Sequence, residues 1–151
     1  MRLNIVLIEP EIPNNTGNIG RLSLASGSKL HLVKPFGFEL SDSRVKRAGL
    51  DYWKHVDLHI YENIEEFFST HKSKKFALLS SHGTKSIYDI PFEDDMFLIF
   101  GKESVGLSDK ITSQFPKHLY KIPIHSNHIR SLNLANAVSI VVYEGLRYLE
   151  K

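Results

Sequence analysis

The stretch LNIVLIEPEIPNNTGNIGR, residues 3–21, decides how the rest of the chain folds. Residues 3–8 form a short run that is apolar apart from Asn4, and Glu9 and Pro10 end it. That pattern predicts a buried strand. A loop of amides and one glycine follows. Ile19, Leu22 and Ala25 then recur three apart, with Gly27 as a stop, which predicts a helix over 17–26. A strand that feeds a helix through a polar loop is the opening unit of an α/β sheet. Such sheets bind ligands in the loops past the carboxyl ends of their strands.

The unit repeats along the chain. Strands are predicted at 30–33, 58–61, 76–80, 96–100 and 119–124. Helices are predicted at 41–48 with Ser41 as cap, after Asn63, at 108–115 with Ser108 as cap, and at 132–149. Asn63 and Glu66 have the spacing of a capping box. The fold class is therefore α/β, one domain over residues 1–151, with a parallel sheet covered on both faces.

Composition narrows the function. The chain has 151 residues, 42% of them hydrophobic, and no cysteine. It can bury a real core. It cannot use a disulfide scaffold, a cysteine-ligated zinc or a cysteine nucleophile. No apolar run approaches a membrane span, and the N-terminus does not resemble a secretory signal, so the expected location is cytoplasmic. Net charge is only +2, but basic residues are grouped. Arg44, Lys46 and Arg47 form one group, Lys72, Lys74 and Lys75 a second, and His125, His128 and Arg130 a third. Each group alone reads as a solvated face. Together they make an anionic partner plausible.

The last predicted helix is apolar almost all round from Leu132 to Val142, with Asn133, Asn136, Tyr143 and Arg147 as a narrow polar stripe. A rim helix needs one apolar stripe. Either this helix is sandwiched inside the chain, or a second subunit covers it. The expectation is a homodimer through residues 132–149.

Three loops stand out, each after a predicted strand. NNTGNIGR, residues 14–21, offers helix-terminal N–H groups and a cation, Arg21, one turn beyond Gly17. A plain capped helix with a surface arginine is the alternative there. FGKESVGL, residues 100–107, has a Gly-Lys pair but fails the phosphate-binding P-loop pattern, because Met96 and Glu103 stand where Gly and Ser or Thr are required. IPIHSNHIRSLNLANAV, residues 122–138, places two histidines three apart beside Arg130, without a nearby carboxylate. That is a poor metal site, and no metal is expected. Neither G-x-S-x-G nor G-x-G-x-x-G occurs, which excludes a hydrolase elbow and a dinucleotide fingerprint.

Taken in order, N-x-G-N-x-x-R, F-G-x-E-x-x-G-L and I-P-I…R-S-L-N-L-A-N-A-V resemble the three motifs of the SPOUT methyltransferases, within them the TrmH/SpoU branch of RNA ribose 2′-O-methyltransferases. RVKRAGLDYW, residues 44–53, and RSLNLANAVSIVVYE, residues 130–144, are similar to the group that methylates the wobble nucleotide, position 34, of leucine tRNAs. The resemblance implies a SPOUT fold whose C-terminal part forms a deep trefoil knot. It implies S-adenosylmethionine as cofactor, S-adenosylhomocysteine as product, and a dimer with active sites built from both chains. Carried onto this chain, Leu79, Gly101, Ile122 and Ser131 would contact the cofactor. Arg21 would stabilise the ribose oxyanion, since an arginine stays protonated and makes a poor base. Asn15, Ser131 and Asn133 would orient the ribose or the loops, and Glu103 would hold Arg21 or a loop amide. Arg44, Lys46, Arg47 and Arg130 would hold the phosphates of a tRNA anticodon stem-loop. Two alternatives remain at this point: a knotted RNA-binding or assembly module without turnover, and the same chemistry on another tRNA or rRNA position.

Overall fold

The computed structural model describes residues 2–41 and 43–151, without the side chains of 46 and 48–50. In chain order the elements are β1 (Asn4–Ile8), α1 (Pro13–Ala25), β2 (Lys29–Val33), α2 (Ser43–Gly49), β3 (Leu58–Tyr61), α3 (Ile64–Thr70), β4 (Phe76–Leu79), β5 (Lys85–Ser86), β6 (Phe97–Phe100), α4 (Asp109–Gln114), β7 (Leu119–Lys121) and α5 (Leu134–Leu149). Short 3₁₀ turns occupy Leu50–His55, Ile87–Asp89 and Pro116–His118.

The strands form one seven-stranded sheet, ordered β3-β2-β1-β6-β4-β7-β5, and the paired strands are all parallel. The expected parallel α/β architecture is the observed one. β1 is central, with Asn4 opposite Lys29 on one side and Phe97 on the other. Its residues alternate between two cores. Leu3, Ile5 and Leu7 pack with Leu30, Leu32, Ile19 and Val138 on the face covered by α1 and α5. Val6 and Ile8 pack with Val33, Phe67, Ile99 and Ile111 on the face covered by α3 and α4. This two-sided burial is why β1 and β6 read as continuous apolar runs.

Several boundaries differ from the sequence reading. The capping box forms in altered form: Asn63 Oδ1 accepts from the Glu66 N–H at 2.8 Å, while Glu66 Oε2 accepts from the Glu62 N–H rather than that of Asn63. Ser108 caps α4 as expected. The last strand stops at Lys121, because residues 122–133 leave the sheet. The last helix starts at Leu134, with Asn133 as its cap. The two-residue β5 carries no apolar run and escaped the pattern search. The Lys72, Lys74 and Lys75 group sits at the amino end of β4, away from the loops singled out above, and Lys74 is paired with Asp95 at 2.7 Å.

The second core contains a polar chain. The Asn4 amide donates to the Asp95 carbonyl and carboxylate, both at 3.0 Å, which leaves its oxygen to accept from His31 Nε2 at 2.8 Å. His31 Nδ1 then accepts from the Tyr61 hydroxyl, whose oxygen accepts from His71 Nε2, each at 2.8 Å. Every donor has an acceptor, so the buried imidazole is satisfied as a neutral ring. Burial, reinforced by the charges of His59, His71 and Lys29, pushes the His31 pKa down to about 3. His71 is shifted down too, chiefly by burial.

An unfolded histidine titrates near 6.5. Between about pH 6.5 and 3 the unfolded chain binds a proton at His31 that the folded chain refuses, so stability falls as pH is lowered through that window. The slope from this one group is at most about 1.4 kcal/mol per pH unit. Denaturant unfolding from pH 7.5 to 4.5 will show the decline, and His31→Gln will flatten it. An equal slope in the variant would contradict a neutral buried His31.

Candidate active site

In a sheet that runs outward in both directions from β1, the crevice opens where the loops after β1 and β6 part. Here a carboxylate bridges that crevice. Glu103, just past β6, accepts from the Glu11 N–H at 2.8 Å and the Ile12 N–H at 2.9 Å. These groups lie at the start of α1, where free donors and the positive dipole end favour an anion. Ile12 at the N-cap has no side-chain acceptor, so Glu103 fills that role from a distant loop. The exchange is reciprocal: Glu11 Oε1 accepts from the Ser104 N–H at 2.8 Å, which holds the Glu11 carboxyl below its ordinary pKa. Lys102 adds an ion pair to Glu9 at 3.1 Å.

The helix therefore begins at Pro13 rather than Gly17. The residue before a helix-initiating proline is extended, and Ile12 is extended here. The expectation of open N–H groups at Gly17 is corrected. Gly17 is buried within α1, and the free amides upstream are occupied by Glu103.

Asn15 extends the link to the third loop. Only 6% exposed, it donates from Nδ2 to Glu103 Oε2 at 3.3 Å and accepts at Oδ1 from Asn133 Nδ2 at 3.2 Å. Asn133 Oδ1 in turn caps α5 by accepting from the Ala135 and Asn136 N–H groups. One connected chain, Glu103–Asn15–Asn133, thus joins residues far apart in sequence and ties the start of α1 to the start of α5. The expectation that Glu103 holds Arg21 or a loop amide resolves to loop amides and the Asn15 side chain.

The other predicted residues lie on several elements. Leu79 ends β4, Gly101 follows β6 and Ile122 follows β7, and these are three neighbouring strands pointing the same way. Leu79 is buried, and Ile122 packs partly buried against the same core. Gly101 is needed for a reason other than clearance of a ligand. A Cβ there would lie 2.1 Å from the Gly106 carbonyl carbon and 2.2 Å from the Leu107 nitrogen, so the loop's own backbone forbids a side chain. Gly83 is excluded from a side chain likewise, at 2.5 Å from the Tyr120 carbonyl carbon. Arg130 and Ser131 lie on the exposed segment 124–133. Arg44 and Arg47 are exposed on α2, which packs along α1, while the side chain of Lys46 falls outside the described residues.

Arg21 is exposed on α1, with its guanidinium 4.9 Å from the centroid of the Tyr52 ring. Among the described residues it makes no ion pair. Sequence reasoning missed Tyr52, Glu11 and Ser104. Tyr52 lies within the stretch RVKRAGLDYW that carries the resemblance, but no role was assigned to it there. Nothing local marked the Glu11–Ser104 exchange. Among the described residues, no group of three or more His, Asp or Glu side chains could hold a metal ion, and no helix is long and apolar enough to cross a membrane.

Comparison with known proteins gives this geometry a family. The model of the SpoU rRNA methylase family matches residues 2–143. A Methylovorus glucosotrophus protein named tRNA (cytidine(34)-2′-O)-methyltransferase is 41% identical over 145 residues, 95% of this chain and 94% of that protein. A Yersinia pestis protein of the same name is 43% identical over 154 aligned positions, 97% of this chain and 94% of that one. A solved structure concerned with "the 2-OH methylation of C/U34 on tRNA" is 42% identical with a TM-score of 0.92, covering 97% of this chain and 95% of its own. A Sinorhizobium meliloti rRNA methyltransferase shares the fold at 23% identity and a TM-score of 0.88, this chain spanning 57% of it. With a family model matched over residues 2–143 and relatives above 40% identical over nearly the whole chain, this chain belongs to the SpoU methylase family of RNA methyltransferases.

Proposed function

We propose that this protein is an S-adenosylmethionine-dependent tRNA ribose 2′-O-methyltransferase that modifies the wobble nucleotide, position 34, of leucine tRNAs in the cytoplasm. Near-full-length relatives named for this reaction at position 34 support the activity. The observation that carries the reading onto this chain's residues is the Glu103–Asn15–Asn133 chain, which joins the three family motifs through side-chain hydrogen bonds.

The loops past β4, β6 and β7 suit an adenosine-bearing cofactor. Leu79 and Ile122 offer apolar side chains, and the loop closed over Gly101 carries no side chain there. Leu79, Gly101, Ile122 and Ser131 would hold it. When bound, the cofactor supplies an electrophilic methyl group, and S-adenosylhomocysteine is left as product. The residues of the chain handle the other reactant. A ribose hydroxyl is a poor nucleophile until its proton leaves, here to a substrate phosphate or a water, and charge then grows on oxygen. Arg21 stabilises that charge as a fixed cation, which costs no reorganisation at the moment of reaction. Asn15 and Asn133 keep the ends of α1 and α5 in register, and Ser131 orients the ribose from the exposed segment.

Arg44, Lys46, Arg47 and Arg130 bind the anticodon stem-loop through its phosphates. The enzyme works as a homodimer through α5, whose outward stripe carries the exposed Ile140 and Tyr143. The C-terminal part would form the trefoil knot that the resemblance implies.

Incubation with labelled S-adenosylmethionine and tRNA from a strain lacking this activity, followed by mapping of ribose methylation, tests the reading. The expected signal is at position 34 of leucine tRNAs; methylation elsewhere would contradict that assignment. Arg21→Ala is expected to lower the single-turnover rate about 10²- to 10³-fold, as loss of an oxyanion donor does elsewhere, and full activity would remove Arg21 from the chemistry. Arg47→Ala is expected to weaken tRNA binding and reduce the salt slope by about 1. An unchanged slope would place Arg47 outside the RNA footprint.

A further inference from the structure

We infer that Tyr52 is a positioning residue that fixes the direction of the Arg21 guanidinium, and that the turn Leu50–His55 is its mount. The inference rests on the reading of Arg21 as the oxyanion stabiliser. A guanidinium on a long exposed side chain has many rotamers. A stabilising cation works only if it already points at the oxygen on which charge develops. Within the chain the described partner for this charge is a π face: Arg21 Cζ stands 4.9 Å from the Tyr52 ring centroid, inside cation–π range. A carboxylate in that place would neutralise the charge that the reaction needs. An aromatic ring holds the cation while leaving its N–H donors for the substrate.

Tyr52, 39% exposed, is carried on an anchored turn. Its neighbour Trp53 lies against Gly20, the residue before Arg21. A Cβ at Gly20 would meet Trp53 Cζ3 at 2.6 Å and Cε3 at 2.9 Å, so the indole sits where only a glycine leaves room. Trp53 and Val56 also pack against the first core, and the Val56 N–H closes the turn on the Trp53 carbonyl at 3.1 Å. Glycine and arginine at 20 and 21 thus face tryptophan and tyrosine at 53 and 52 in a paired contact between α1 and the turn. The turn follows α2 directly, so the helix bearing Arg44 and Arg47 and the mount of Arg21 are one continuous segment.

The test compares Tyr52→Phe, Tyr52→Leu, Arg21→Ala and wild type in single-turnover methylation, with tRNA KM, S-adenosylmethionine affinity and the Arg21 Nε–Hε NMR signal measured alongside. Tyr52→Phe keeps the π face and is expected to react within about twofold of wild type. Tyr52→Leu is expected to lower the rate about 5- to 30-fold, the loss of one cation–π contact, with tRNA KM and cofactor affinity unchanged. The Arg21 signal should lose its ring-current shift in Tyr52→Leu and keep it in Tyr52→Phe. If Tyr52→Leu reacts at the wild-type rate, or leaves the Arg21 signal where it was, the inference is overturned. Equal losses in Tyr52→Phe and Tyr52→Leu would overturn it as well, by assigning the effect to the hydroxyl. Full activity in Arg21→Ala would instead overturn the underlying mechanism, and the inference with it.

Discussion

The Glu103 carboxylate is the constraint on which the site depends. A parallel sheet brings the loops after β1 and β6 to the same edge but does not join them. Glu103 joins them by accepting from two backbone N–H groups at the start of α1 and from the Asn15 amide. Hydrogen bonds to an ionised group are stronger than neutral ones, and those at a helix start gain from the dipole. Glu11 returns the contact to Ser104, so neither loop can shift without breaking bonds at both ends. Asn15 then passes the constraint to Asn133 and to the first turn of α5.

This arrangement explains a division of labour among residues that look alike in sequence. Of the amide side chains in the first motif, Asn15 faces inward and is committed to holding the loops, whereas Asn14 and Asn18 are exposed. Arg21 faces outward, with its guanidinium over an aromatic ring rather than paired with an acid among the described residues. Gly101 serves the closure of its own loop, since the Gly106–Leu107 backbone fills the space a side chain would need.

Much of the fold was legible because periodicity and burial agree. Residues 3–8 and 96–100 are apolar on both faces, and both became central strands. What escaped were features fixed by tertiary contact. The start of α1 lies at Pro13, a residue suited to the first helical position, but its cap comes from a residue about ninety positions away, which no local pattern encodes. The β7 strand ended early because residues 122–133 leave the sheet edge despite the apolar start of that stretch. In the site, resemblance pointed to Asn15, Glu103 and Asn133, but only the coordinates show them bonded in series. The roles of Tyr52 and Glu11 needed the structure, because each acts through a neighbour distant in sequence.

The most direct measurement is calorimetric binding of S-adenosylmethionine to Glu103→Ala, with circular dichroism to establish that the variant is folded. If the Glu103 hub shapes the pocket, the folded variant will bind the cofactor at least about tenfold more weakly, the loss of roughly one charge-assisted hydrogen bond's worth of organisation. Wild-type affinity in the folded variant would contradict the account, because the loops would then be held in place by something other than this carboxylate.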